Sequence, residues 1–431
     1  MARDLDRGAG AGGLTLDTMA EDGEGFRNVR LVLCGADGAI LGALPRIRTP
    51  EPWWPEVEPV ADAAHERFGV AIVVLRLLVT SASDEGRGGD VDYLAEVVAP
   101  LPTGLVLEPV DGEAPAFRDE PLRMPWARPG GVAASLAWAD ERLDELGRPR
   151  SGPARQVKSW NLSSLLRLPT EQGAAWCKSV PPFMGHEGAI LELVAGSAPD
   201  LVPSRLAVDP LSRTVLLDDV AGEDLFDADE PALLEMVRRL VALQAAFAGR
   251  TDDLLAAGLP DWRRASFVRS AERLVRRADV RSELEPHLLE QLDALIADLP
   301  RRLTDLEACG LPETLVHGDF HPGNWRAGDG RPVLLDWGDS GVGHPLFDTP
   351  AFLERVPPEA LGRIRDAWAG AWRAERPGSD PERAAELIRP VAALRQALIY
   401  RTFLDGIEPT ERVYHRDDPG RWLRAAVDAA G

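Results

Sequence analysis

Lysine is nearly absent from this chain. Of its 48 basic residues only Lys158 and Lys178 are lysines, and the rest are arginine. A lysine kept in such a chain marks a position that needs a compact, flexible point charge rather than a planar fork, or else it survives codon bias by chance. Taken one at a time, the two lysines leave both alternatives open. Cysteine is scarce too: Cys34, Cys177 and Cys309 are too few and too scattered for a disulfide framework or a cysteine-built zinc site. No run reaches the roughly 20 apolar residues of a membrane span, and the first residues lack the charged-then-apolar pattern of a secretory signal. A reducing, cytoplasmic setting and no membrane partner are the expectation. Basic runs are missing as well. The formal charge is −22, shared by both halves, which excludes a nucleic-acid-binding surface and suits a neutral or cationic small substrate.

With 431 residues the chain is too long for one core. Residues 1–25 are rich in glycine and charge and read as a disordered tail. Over 26–125 the pattern is mixed α and β: a hairpin around Ala36-Asp37-Gly38 (29–44), a helix from Pro55 to Phe68, and strands at 70–79, 91–100 and 105–109. This order of strands with a helix before Gly69 resembles a Nudix domain. Aligned on Gly69-Val70, the positions that hold that family's arginine and glutamates are Asp62, Ala63, Glu66 and Arg67, and only Glu66 fits. One carboxylate cannot hold a pyrophosphate-bound metal, so the resemblance implies a non-catalytic relic or a substrate cap. Residues 126–153 read as a linker helix. A small β-rich lobe over 154–221 and a helical lobe over 222–431 complete an α+β organisation, with a short β-rich island at 314–340 inside the helical part.

That island carries the chemistry. Thr314-Leu315-Val316 and Pro332–Leu335 read as short strands that deliver a loop bearing Asp319, His321 and Asn324 beside a second acid, Asp336. A carboxylate on a stiff loop can accept a hydroxyl proton. An amide oxygen and a second carboxylate are hard ligands suited to Mg²⁺, which completes its shell with substrate phosphates. With a lysine for the phosphates, these are the parts of phosphoryl transfer.

His317-Gly318-Asp319-Phe320-His321-Pro322-Gly323-Asn324, followed by Leu334-Leu335-Asp336-Trp337, resembles the signature of the aminoglycoside phosphotransferase and choline kinase-like superfamily, whose members share the bilobal protein kinase architecture. The resemblance runs over 155–431. It implies Asp319 as catalytic base, Asn324 and Asp336 as Mg²⁺ ligands, His317 as brace of the loop and His321 as its lining near the acceptor, although plain loop hydrogen bonding also accounts for both histidines. It implies Lys178 as the strand lysine on the phosphates, paired with Glu187, or failing that Glu192, of the next helix. In LLDDVAG (216–222) it implies that Asp218 offers its carbonyl and Val220 its amide to the base of ATP or GTP. His344 and Asp348 read as turn-fixing groups, and Asp339 has no single reading.

The departure is the loop over the phosphates: WNLSS (160–164) and PTEQG (169–173) stand there without a glycine run, leaving Ser163 or Ser164 to donate hydroxyls. The Trp368/Trp372 and Tyr400/Phe403 pairs have helical spacing and read as core, or as a wall of the acceptor pocket. Glu408, Glu411, Asp417 and Asp418 read as amine-recognising acids, helix caps or solvated surface. The expected activity is a small-molecule kinase that transfers the γ-phosphate of a Mg-nucleotide to a hydroxyl of an amino sugar, sugar, amino alcohol or aminoglycoside-like acceptor. The alternative is a catalytically silent nucleotide-binding regulator.

Overall fold

The computed structural model describes residues 26–431 except 82–85, 113 and 329; the tail expected over 1–25 lies outside the described residues. Five strands form the first sheet: β1 (Arg27–Cys34), β2 (Ile40–Ala43), β3 (Ile47–Thr49), β4 (Ile72–Thr80) and β5 (Asp90–Val97). Its order is β2-β1-β5-β4, with β3 also on β1. The expected hairpin is the β1–β2 pair, whereas β1 and β5 run parallel. Helix α1 (Glu58–Phe68) crosses between β3 and β4 and stops at Gly69, whose φ of +67° suits glycine. Residues 105–109, expected as a strand, make a single bridge from Glu108 to Ala43; Pro109 has no N–H with which to extend it.

Helix α2 (Gly131–Glu145) occupies the expected linker, but it is not a free connector. Its Val132, Ala139 and Leu143 share a core with Val32, Leu75 and Leu94 of the first sheet and with Leu166, Leu168 and Leu216 of the second. The second sheet is β6 (Arg155–Ser159), β7 (Ser164–Thr170), β8 (Gly173–Ser179), β9 (Arg205–Asp209) and β10 (Thr214–Asp218), in the order β6-β7-β8-β10-β9. Helix α3 (Glu187–Ser197) packs on it through Ile190, Leu191 and Val194.

The large lobe is helical: α4 (Glu230–Phe247), α5 (Thr251–Ala256), α6 (Arg264–Val275), α7 (Ala278–Ser282), α8 (Pro286–Glu307), α9 (Thr349–Leu353), α10 (Leu361–Glu375), α11 (Pro381–Gly406) and α12 (Asp418–Ala430). A leucine every three to four residues along α8 is buried, which is the stripe that anchors an amphipathic helix. Short strands are set into this body. β11 (Glu223–Asp224), β13 (Trp325–Ala327) and β14 (Val333–Leu334) form one sheet, and β12 (Thr314–Val316) pairs with β15 (Gly341–Gly343). The end of α11 and the segment after it meet the first sheet, where Tyr400 and Phe403 of the helix and Tyr414 beyond it join a core with Trp54, Val60, Val74 and Tyr93. Among the described residues no helix is long and apolar enough to cross a membrane.

Candidate active site

Loop 317–324 joins β12 to β13, and Asp336 follows β14, so two small strand pairs aim both acids into one cleft. The loop is held from beneath. Asp348, fully buried, accepts the N–H groups of His317 (2.9 Å) and Gly318 (2.7 Å) and the amide of Gln244 (2.9 Å). Burial outweighs these bonds and pushes its carboxyl up to about 6. Arg395 of α11 donates to the carbonyls of Gly318 and Asp339 while its guanidinium lies over Trp262 and Phe347. Gly318 sits at φ +95°, and a Cβ there would stand 2.0 Å from the Asp339 carbonyl oxygen. Only glycine fits that approach.

His317 donates from Nε2 to the Leu335 carbonyl (3.0 Å) and packs edge-on against Trp337. It thus ties the loop to the strand that carries Asp336. Burial lowers its pKa to about 4, so it is neutral at physiological pH. His321 accepts the Gly323 N–H on Nδ1 (3.0 Å), which leaves the proton on Nε2, 3.4 Å from Asp319 Oδ2. Asn324 donates its amide to the Asp319 carbonyl (2.8 Å) and carboxylate (3.2 Å). Burial works against ionising Asp319, but His321, Arg355 and His317 overcome it and hold its carboxyl down to about 2.

From the opposite sheet, Lys178 on β8 reaches Glu187 Oε1 and Asp336 Oδ1, both at 2.7 Å. Burial disfavours its charge, yet the two carboxylates together hold its pKa well above the ordinary lysine value. Burial raises Glu187. For Asp336 the same cost is outweighed by Lys178, and its carboxyl is held low. Asp336 itself adopts φ +59°, a left-handed conformation rare outside glycine. Glu192 is exposed and pairs with Arg205, away from Lys178.

Two cavities meet at this point. One, of about 840 Å³, is lined by Lys178, Glu187, Leu217, Asp218, Val220, Asn324 and Asp336. The other, of about 940 Å³, is lined by Gly318, Asp319, Asp339, Glu354, Arg355, Tyr400, Phe403, His415 and Trp422. Ser163, Lys178 and Asp336 line both. Lys178, Glu187, Asp218, Val220, Asp319, Asn324 and Asp336 therefore line one connected cleft, with His317 and His321 directly beneath it.

Several details differ from the sequence expectation. Turn 171–172 lies at the far end of the β7–β8 hairpin, where Gln172 donates to Gly147, and residues 169–173 line neither cavity. A hairpin has two ends, and only the β6–β7 turn faces the cleft. Ser164 is buried in the sheet, whereas Ser163 is in the cleft with its hydroxyl accepting from Trp160 Nε1. Glu408 and Glu411 are neither surface nor caps: Glu408 pairs with Arg123 (3.0 Å) and Arg76 (3.9 Å), and both glutamates are buried against the first sheet. Trp368 and Trp372 are core, while Tyr400 and Phe403 form a cavity wall. Lys158 went unassigned in the sequence, yet it lines the first cavity. Its signal was its rarity.

Whether the cleft suits a divalent cation is a matter of donor chemistry. Asn324 spends its amide nitrogen on Asp319, which leaves its oxygen for a cation, and Asp336 stays ionised beside it. That is a hard-oxygen set of the kind Mg²⁺ shares with phosphates, and the residues fit. No cluster of three or more histidine, cysteine or acidic groups exists among the described residues to form an all-protein metal cage.

Residues 179–387 match the phosphotransferase enzyme family. Among solved structures, macrolide 2'-phosphotransferase MphH from Brachybacterium faecium is similar at 20% identity and TM-score 0.46, covering 66% of this chain and 98% of its own. Choline kinase LicA from Streptococcus pneumoniae is similar at 13% identity and TM-score 0.48, covering 68% and 97%. The gentamicin complex of the phosphotransferase APH(2")-IIa is similar at 13% identity and TM-score 0.49, covering 68% and 95%. No curated protein matches the chain.

Proposed function

From the match of residues 179–387 to the phosphotransferase enzyme family, we propose that this chain is a small-molecule kinase, with Asp319 as catalytic base and ATP or GTP as donor. The observation that carries the reading is the sharing of Lys178 and Asp336 by two cavities, one holding Asp218 and Val220 and the other holding Asp319. Phosphoryl transfer needs a donor site and an acceptor site that touch at the transferred group.

In this reading the nucleotide base lies against the Asp218–Val220 segment and the phosphates run toward Lys178. Asn324 and Asp336 would hold Mg²⁺, which supplies charge neutralisation on the phosphates. An acceptor hydroxyl in the second cavity donates its hydrogen bond to Asp319. As its oxygen bonds to the γ-phosphorus, the bond from that phosphorus to the β–γ bridging oxygen breaks and Asp319 takes the hydroxyl proton. Asp319 is ionised throughout the physiological range, and its main contribution is orientation, because the transition state of such transfers is loose. Four carboxylates (Asp319, Asp336, Asp339 and Glu354) line the acceptor cavity against two cations, with Tyr400, Phe403 and Trp422 as aromatic faces. This favours an acceptor that carries an amine as well as a hydroxyl.

The test is acceptor-dependent release of ADP or GDP across a panel of amino sugars, sugars, amino alcohols and aminoglycosides, in the native protein and in Asp319→Ala. Turnover lost in the variant supports the reading. Calorimetric binding of Mg-nucleotide with no phosphorylated product from any acceptor would leave the silent regulator in its place.

A further inference from the structure

The donor cavity holds a second lysine that the proposed chemistry does not use. Lys158 stands on β6, the strand that leads into the cleft-facing turn, and its side chain is only 5% exposed. The β6–β7 register shifts between Gln156 and Lys158. Such a bulge re-aims the side chains that follow it. Gln156 turns to the first sheet, where it bonds both backbone groups of Val74, and Ser159 bonds Leu75 there. Lys158 faces the other way and lines the cavity with Lys178, Glu187 and Asp336.

Its counter-ion comes from the segment before α1. Glu56 Oε1 lies 3.4 Å from Lys158 Nζ, and residues 55–57 lie antiparallel to β6 through a single bridge, with the Val57 N–H on the Val157 carbonyl and the Ser159 N–H on the Pro55 carbonyl. The turn after β6 offers no glycine run whose backbone amides could approach phosphates. A buried ammonium on the strand feeding that turn supplies what the turn lacks.

We infer that Lys158 is a second phosphate-binding cation of the donor site, held in place by the segment 55–57. This rests on the reading of that cavity as a nucleotide site. Lys178 and Lys158, which flank Leu165 of β7 from the strands on its two sides, then bracket the phosphates, and the chain's two lysines share one task that suits a compact charge.

Calorimetry on the full-length protein and on Lys158→Met, with Mg-ATP or Mg-GTP and with the matching nucleoside, separates the possibilities. The expected result is at least about a tenfold loss of triphosphate affinity with nucleoside affinity unchanged. Equal triphosphate affinity in the two proteins, or an equal loss for the nucleoside, overturns the inference while the nucleotide site stands. A native protein that binds no nucleotide overturns both. A second measurement needs no variant. With an acyl phosphate of ADP as probe, a lysine amine near the phosphates attacks the acyl carbon, the carbon–oxygen bond to phosphate breaks, the nucleotide departs with its electrons, and the amine proton passes to water. Peptide masses then distinguish the two lysines. Acylation of both, blocked by excess Mg-ATP, is expected; acylation of Lys178 alone overturns the inference.

Discussion

The Glu411 carboxylate accepts the backbone N–H of Leu77 at 2.8 Å, joining the stretch between α11 and α12 to β4 across 334 positions of sequence. Asn161, from the cleft-facing β6–β7 turn, donates to the Glu411 carbonyl (3.2 Å). Trp160 packs edge-on against Tyr414, and Tyr414 against Trp54. The first sheet, the cleft turn and the wall of the second cavity are thus one packed unit.

Glu411 makes the stability of that unit depend on pH. Burial, reinforced by the charge of Glu408, pushes its carboxyl up to about 8 from an ordinary 4.5. The folded state therefore holds this proton more tightly than the unfolded chain does. The stability it contributes is complete below pH 4.5 and is lost as pH rises through 8. Melting temperatures measured from pH 5 to 9 should fall, and Glu411→Gln, which keeps an acceptor for Leu77, should flatten that fall. Parallel curves for the two proteins would place the dependence elsewhere.

Asp319→Ala should reduce kcat by about 10² to 10⁴ with nucleotide KM within about threefold of native. Because the Asp319 carboxyl is held down to about 2, it stays charged as pH falls toward that value. The kcat/KM profile should show no acid limb from this group above pH 4, and an acid limb near pH 6 that disappears in the variant would contradict its assignment.

Lys178→Met should weaken Mg-nucleotide binding more than tenfold, since it deletes the charge nearest both carboxylates. Glu187→Gln keeps Asp336 as partner and should cost less, chiefly in nucleotide KM. Glu192→Gln, in an exposed pair with Arg205, should leave both constants unchanged. Equal losses in the Glu187 and Glu192 variants would refute the pairing.

Gly318→Ala should destabilise the fold by more than about 1 kcal/mol from the left-handed backbone alone, with a further cost from the 2.0 Å approach to Asp339. Loop 317–324 cannot shift without breaking its bonds to Asp348 and Arg395. Denaturant midpoints and kcat should therefore drop together, and a variant stable and active within twofold would show that the loop is free to move.

Much of the site could be read before any fold was known. Asp319, Asn324 and Asp336 sit on one loop and the end of the next strand pair, so contiguous residues report their shared surroundings. Lys178 and Glu187 follow the same logic: a strand, a short turn and a helix bring positions nine apart to 2.7 Å. Choosing Glu187 over Glu192 needed only the core spacing of Ile190, Leu191 and Val194. Where the reading went astray, the determinant was remote. Nothing local in 169–173 tells which end of the hairpin meets the cleft, and nothing in 408–411 signals that β4 will cover it. Lys158 stood out by rarity alone, because the bulge that aims it and the carboxylate that holds it belong to pairings with other segments.

Composition and short motifs were enough to propose the chemistry, since the groups assigned to accept a proton or bind an ion lie close along the chain and bring their own turn residues with them. Assembly into three dimensions settled which face each strand presents, where the wall of the second cavity stands, and that the first sheet packs against the small lobe. Those outcomes follow from long-range packing, in which burial of apolar surface between distant segments selects one register among many that the local pattern allows equally.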